Sequence, residues 1–225
     1  MRNSKLISLH PLTEFVYATS SKKKRIIREQ KKANLFTAPL YRTVKSVLPK
    51  FFIKNFDKEI LIDAIERLQR GDQSTTWKRN NVENSILALR HFIAMNFPKE
   101  FEKIRCQFFT KLACKECFLN GVVVRVAPDV VFRWGTNGQK FIGGIRFHIG
   151  KTKPLANNVA RLRASMLSYY LREIIAEDDE VVNNEFCFCV DIIHENIVIA
   201  PKDISLDITL LNRACREIID LWDVA

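Results

Sequence analysis

The sequence lacks any apolar run approaching the roughly eighteen residues that a membrane-spanning helix requires. Its opening residues, MRNSKLISLHPL, have no long apolar core, which argues against a secretory signal and makes a cytoplasmic location the expectation. Only seven glycines are scattered over 225 residues and none builds a glycine-rich phosphate loop, which argues against nucleotide hydrolysis of the P-loop kind. There is no internal repeat and no low-complexity stretch. No serine or cysteine stands in a recognisable nucleophile setting, so covalent hydrolysis has no candidate residue. His148 and His194 invite catalytic roles, but without such a nucleophile they read as structural. Six cysteines, Cys106, Cys114, Cys117, Cys187, Cys189 and Cys215, sit mainly in apolar or strand-like surroundings and read as reduced thiols. Cys114 and Cys117 with Cys187 and Cys189 would be the thiolates of a zinc site. Yet neither pair sits on the loop such sites favour, and Cys187 and Cys189 alternate with Phe186, Phe188 and Val190 as buried strand residues do.

What the chain does have is positive charge, unevenly spread. Residues 1–56 hold thirteen Lys and Arg against Glu14 and Glu29, and the remainder carries twenty-three of each sign, so the whole excess of +11 lies in the first quarter. Such asymmetry points to a polyanionic partner, because neutralising phosphates releases condensed counterions. The densest run, KKKRIIREQKK, predicts a helix with Ile26 and Ile27 on one side and Lys22, Lys23, Lys24, Arg25, Arg28, Lys31 and Lys32 over most of the rest. So little apolar surface predicts weak docking, with the cations shown to solvent or phosphate. Arg42 and Lys45 extend the basic character into the next helix, Pro39 to Phe56, which Pro49 should kink or split. The aromatics there, Tyr41, Phe51, Phe52 and Phe56, have the helical spacing of core residues, although aromatics among bases also suit a single strand.

Around these segments the periodicity alternates between helix and strand. Leu9 to Thr19 reads as a short helix and Asp57 to Arg70 as an amphipathic one closed by Gly71-Asp72. The polar segment Gln73 to Arg79 divides the chain into a basic helical region, residues 1–72, and an α/β region, residues 73–225. Asn80 to Asn96 predicts another helix carrying Glu83, and a strand is expected near Cys114 to Leu119. After it, Asn120-Gly121 gives a hairpin signal. Pro154 to about Ala176 is a long helix and Glu177 to Glu180 an acidic loop. Phe186 to Ile193 reads as a buried strand, Ile197 to Ala200 as its short partner, and Ile204 to Trp222 as the closing helix.

The centre of the pattern is the stretch from Gly121 to Lys151. Val122 to Trp134 is rich in β-branched and aromatic residues, Thr136 to Gln139 carries an Asn-Gly turn, and Lys140 to Ile149 is apolar again. Pro128-Asp129 interrupts the first of these strands. Proline cannot donate to a ladder, so this is a bulge or an edge, a place where strands re-aim functional side chains. Across the turn stand Gly143, Gly144, Arg146, His148 and Lys151.

A Pro-Asp pair, a hairpin and a strand bearing a basic residue resemble the PD-(D/E)XK nuclease superfamily over roughly residues 80–200. The expected acid-X-lysine triplet falls on Gly144-Ile145-Arg146, so arginine replaces lysine and the acid is absent. The order from Asn80 onward, helix, three strands, helix, strand, short strand, helix, is similar to the superfamily's αβββαβ core. The resemblance thus implies an α+β fold: a basic helical N-terminal region, a restriction-endonuclease-like core and a C-terminal helix. It implies a DNA-directed role in restriction, antiviral defence or mobile-element processing. Magnesium-dependent hydrolysis would use Asp129 and Glu83 as metal ligands and Arg146 or Lys151 to stabilise charge. Arginine stays protonated and cannot serve as a base at neutral pH, and one carboxylate is a poor magnesium site. The alternative is a non-catalytic nucleic-acid-binding or scaffold subunit of a larger complex, which needs no cofactor. Nucleic acid, DNA first, is the expected partner, with protein partners in a complex and no membrane.

Overall fold

The computed structural model describes residues 5–32 and 40–225 and shows a mixed α+β protein with two mixed sheets. The chain opens with strand β1 (Leu6–Ser8), helix α1 (Leu9–Val16) and helix α2 (Ser20–Lys31). Next come α3 (Arg42–Ile53), α4 (Glu59–Gln69), α5 (Thr76–Ala94) and the short α6 (Lys99–Lys103). Five strands follow: β2 (Gln107–Phe109), β3 (Glu116–Leu119), β4 (Val122–Arg125), β5 (Val130–Thr136) and β6 (Gln139–His148). Helix α7 (Asn157–Tyr170) runs on as a π-helical turn, Leu171–Ile175, before β7 (Glu180–Asp191), β8 (Asn196–Ile199) and α8 (Ser205–Trp222). No helix among the described residues is long and apolar enough to cross a membrane.

The large sheet has the order β2-β5-β6-β7-β8, antiparallel except for β6 and β7, whose parallel pairing is bridged by α7. Side-chain alternation divides its residues between two cores. Val131, Ile142, Cys187 and Cys189 face α1, α7 and α8, while Val130, Phe132, Ile145, Phe147, Phe188 and Val190 face α3, α4, α5 and α6. The second core is built largely of phenylalanines, with Phe52 at its centre in contact with the rings of Phe51, Phe56, Phe92, Phe97, Phe101 and Phe147. The aromatics of the basic segment are therefore packed: Phe51 and Phe52 are buried. Residues from both sides of position 72 contribute to each core, because Ile7, Leu12, Phe15, Ile26 and Ile27 pack with α7 and α8 while α3 and α4 cover the opposite face.

Both Asn-Gly hairpins form. Asn120 and Gly121 have φ of 43° and 85°, and Asn137 and Gly138 have 51° and 79°, the pair of positive values that a two-residue turn matched to strand twist requires.

Three expectations fail. Val122 to Trp134 is not one interrupted strand: it divides at Val126–Asp129 into β4 and β5, which belong to different sheets. Ala127 turns the corner with φ of 45°, and the amides of Val126 and Ala127 both donate to the Lys115 carbonyl instead of continuing a ladder. The three strands expected between the Asn80 helix and the Pro154 helix therefore do not lie in one sheet. The β3–β4 hairpin joins β1 in a separate three-stranded sheet, and the place beside β5 is taken by β2. Pro49 does not split its helix, since Val44, Val47, Leu48, Phe51 and Phe52 on both sides of it are buried and hold α3 together. The start of that helix expected at Pro39 lies outside the described residues. Finally, β7 begins at Glu180, well before Phe186, because Glu180, Val181 and Val182 pair with Lys140, Phe141 and Ile142.

Candidate functional site

The corner before β5 sets the position of Asp129. Its amide donates to the Ile145 carbonyl at 3.0 Å, and Val130 pairs with Ile145, so Asp129 falls opposite Arg146 on the sheet face that meets α1 and α7. One carboxylate oxygen, Oδ2, accepts from Arg146 Nη1 at 3.0 Å and from the Phe147 amide at 2.8 Å. The same Nη1 donates to the Ala127 carbonyl at 2.6 Å, so the left-handed corner residue itself helps to hold the guanidinium. Burial raises the Asp129 carboxyl pKa, while the Arg146 charge and the Phe147 amide pull it back down.

These two residues border a recess of about 320 Å³ lined also by His10, Tyr41, Lys45, Phe147, His148 and Ile149. Its wall is assembled from α1, the start of α3, the β5 corner and the end of β6. Behind it lies Arg163 of α7, fully buried. Its Nε donates to Thr13 Oγ1 at 3.1 Å, its Nη2 lies 3.6 Å from Glu14 Oε1, and its Nη1 is 3.1 Å from His148 Nδ1. A guanidinium can only donate, so His148 Nδ1 is the acceptor and the ring proton is on Nε2. The His148 pKa is lowered by burial first and then by Arg163. His10 packs edge-on against His148 at 5.7 Å and is lowered well below the usual histidine value by burial, with Arg163, Arg146, His148 and Lys45 adding to the effect. Two buried nitrogens of the lining, His10 Nε2 and Arg146 Nε, have no hydrogen-bond partner among the described residues.

The residues singled out in the sequence are thus only partly gathered. Asp129, Arg146 and Lys45 share the recess, whereas Glu83 is exposed on α5 and Lys151 is exposed beyond β6, neither of them in its lining. Position 144, where the nuclease pattern expects an acid, is aimed elsewhere: a Cβ on Gly144 would sit 3.2 Å from Leu171 Cδ1 and 3.4 Å from Leu167 Cδ1, under α7. Of the basic run, Lys23 is turned inward, bonded to Glu217 at 2.6 and 2.8 Å and lying over the Phe15 ring. Lys31 donates to the carbonyl of Ala225, and Lys22 lies 3.5 Å from Glu14. Lys22, Lys24, Arg25, Arg28, Lys31, Lys32 and Arg42 are exposed. Docking of α2 is firmer than expected, because Ile27 is completely buried and Gln30 accepts from the Ser8 amide.

The sequence does not single out His10 or Arg163 as site residues, it names Tyr41 only among aromatics that suit either a core or a single strand, and it presents His148 as structural. Nothing in the local pattern marks His10 or Arg163, since each joins the recess only through packing of α1 and α7 on the sheet. Among the described residues no group of three or more His, Cys, Asp or Glu is placed to hold a metal ion. Cys187 and Cys189 are buried on β7 as their alternation predicts, and burial pushes both thiols up to about 12. No protein-family model matches the chain, and no curated protein matches it.

Proposed function

We propose that this protein binds nucleic acid through a nuclease-like α/β domain whose site grips phosphate without hydrolysing it. The observation that carries the reading is the Asp129–Arg146 pair, opposed across β5 and β6 on one face and set in a recess with Lys45. The order β2, β5, β6, α7, β7, preceded by α5, supports the likeness to the αβββαβ core, with the β3–β4 hairpin as an insertion. Exposed cations along α2 supply a second surface for phosphates.

The donor set does not fit magnesium. The recess lining offers one carboxylate, and its Oδ2 is already engaged by Arg146 and Phe147. Two-carboxylate ligation would need Glu83, which stands outside, or an acid at position 144, which would point under α7. Arg146 is held by Asp129 and Ala127 as a fixed fork, a geometry for holding a phosphate rather than for proton transfer. Fluorescence anisotropy with single- and double-stranded DNA over a salt series, run beside a plasmid-nicking assay with magnesium, tests this reading. Binding that weakens steeply with salt and no nicking is the expected result. Nicking abolished in Asp129→Ala with binding retained would establish an enzyme instead.

A further inference from the structure

We infer that the recess at the end of β6 receives a phosphate monoester, the terminal phosphate of a nucleic-acid strand, rather than a phosphodiester from within one. The strand-end part of this inference rests on the nucleic-acid reading above; the phosphate part rests on the recess alone.

Size is the first argument. At about 320 Å³ the space lies at the low end of small-molecule sites, roughly 300–1,000 Å³, which suits one phosphorylated unit and not a run of nucleotides. Phe147 and His148 at the end of β6 and His10 from α1 belong to its wall. A chain that must enter and leave would need a groove, whereas a strand end needs only a mouth.

Charge is the second. A phosphate monoester carries about −1.5 to −2 at neutral pH, more than the single charge of a diester. The lining offers Lys45 and Arg146 against Asp129, and the buried Arg163 stands directly behind His148. Because Arg163 occupies Nδ1 of His148, the imidazole keeps its proton on Nε2, as a donor.

Unmet hydrogen bonding is the third. Arg146 Nε and His10 Nε2 are buried nitrogens of the lining without partners among the described residues. Arg146 Nε is a donor under all conditions, and His10 Nε2 becomes one in the appropriate tautomer. A buried polar group left unpaired costs about 1–3 kcal/mol, a cost that an oxyanion reaching either nitrogen would relieve. Lys45 is exposed at the rim, and the Tyr41 ring beside it offers a face for the sugar or base that follows the phosphate.

The test compares one single-stranded 12-mer bearing a 5′-phosphate, a 3′-phosphate or hydroxyls at both ends, titrated into the full chain and followed by anisotropy. At least one phosphorylated form should bind about tenfold tighter than the hydroxyl form, the worth of one added charge-assisted hydrogen bond. Lys45→Ala, which alters an exposed side chain, should weaken the phosphorylated strand about tenfold more than the hydroxyl strand and so erase that preference. Arg146→Lys, checked for folding by its melting temperature, should do the same. Equal affinity for all three strands in the unaltered protein overturns the inference and leaves the nucleic-acid reading intact. A preference that survives both substitutions overturns the assignment to this recess. If no strand binds, the nucleic-acid reading fails, and inorganic phosphate and a nucleoside monophosphate then decide the recess. A rise in melting temperature with them, absent in Lys45→Ala, supports a free phosphomonoester as the occupant, and no rise overturns the site.

Discussion

Putting an acid back at position 144 separates a nuclease that has lost one ligand from a site built for another purpose. The substitution is Gly144→Asp. If the protein were one carboxylate short of activity, this change would restore magnesium-dependent nicking. The surroundings of Gly144 predict the opposite. Its Cβ would meet Leu171 Cδ1 at 3.2 Å, the Val130 carbonyl at 3.3 Å and Leu167 Cδ1 at 3.4 Å, two methyl groups and an oxygen that repels a carboxylate. Overpacking of this kind costs about 1–3 kcal/mol, and an unpaired buried carboxylate adds at least about 1–3 kcal/mol more. The sum, about 2–6 kcal/mol, corresponds to a fall in melting temperature of about 4–24 °C for a chain of this size. Gly144→Ala isolates the packing part and should cost about 1 kcal/mol, because each neighbour need yield only a few tenths of an ångström. The charge part has its own signature. A carboxyl introduced and buried at this position would have its folded-state pKa raised, so its penalty should be absent below about pH 4 and should grow as pH rises through the unfolded value until the folded one is passed. Calorimetric melts at several pH values, run beside a nicking gel, read all three quantities. A folded Gly144→Asp protein with an unchanged melting temperature and magnesium-dependent nicking would refute this account of the site.

The basic helix offers a sharper contrast between neighbours. Lys24→Ala or Arg28→Ala should each flatten the slope of log affinity against log salt by about 0.7–0.9 if that side chain meets a phosphate. Lys23→Ala should leave the slope alone and cost up to about 1 kcal/mol of stability through Glu217, as paired melts and titrations would show. His10 keeps its ring neutral in the folded chain, while in the unfolded chain it takes up a proton near pH 6.5. The unfolded state then binds more protons, so stability should fall as pH drops through about 6.5, and His10→Gln should show a shallower loss between pH 7 and 5. Equal slopes for the two proteins would contradict this. Pro49→Ala should restore a donor for the Lys45 carbonyl within α3 and raise stability by about 1–3 kcal/mol, and a lower melting temperature would contradict it.

The elements legible in the sequence are those whose cause is local. Alternation and the two Asn-Gly pairs mark both hairpins, and the opposition of Asp129 and Arg146 follows from counting back from the second turn. The partition of strands between sheets is not legible. Val122 to Trp134 reads as a single β-rich run, and only the positive φ at Ala127 and the shared acceptor on Lys115 show why it parts into two sheets. The short β2 leaves no trace in the pattern because three residues carry no measurable period. Site residues divide in the same way. Arg163 lies in α7 within the buried run Leu162 to Ser168, and its role depends on Thr13 and Glu14, about 150 positions away. His10 is one of four histidines, and nothing local distinguishes it; only the docking of α1 lays it beside the end of β6. Glu83 is an acid on the expected helix, and the helix turns it to solvent.

The parallel pairing of β1 with β4 also sets a timetable for synthesis. Val123, the register partner of Leu6, is added more than a hundred residues after it. At roughly 5–20 residues per second β1 waits on the order of ten seconds before it can pair with β4. Through that interval Ile7, Leu9, Leu12 and Phe15, all buried in the finished molecule, have α2 beside them but neither α7 nor α8 to complete their cover. The nascent chain should therefore engage a ribosome-associated chaperone early and release it only as the β3–β4 hairpin emerges from the exit tunnel.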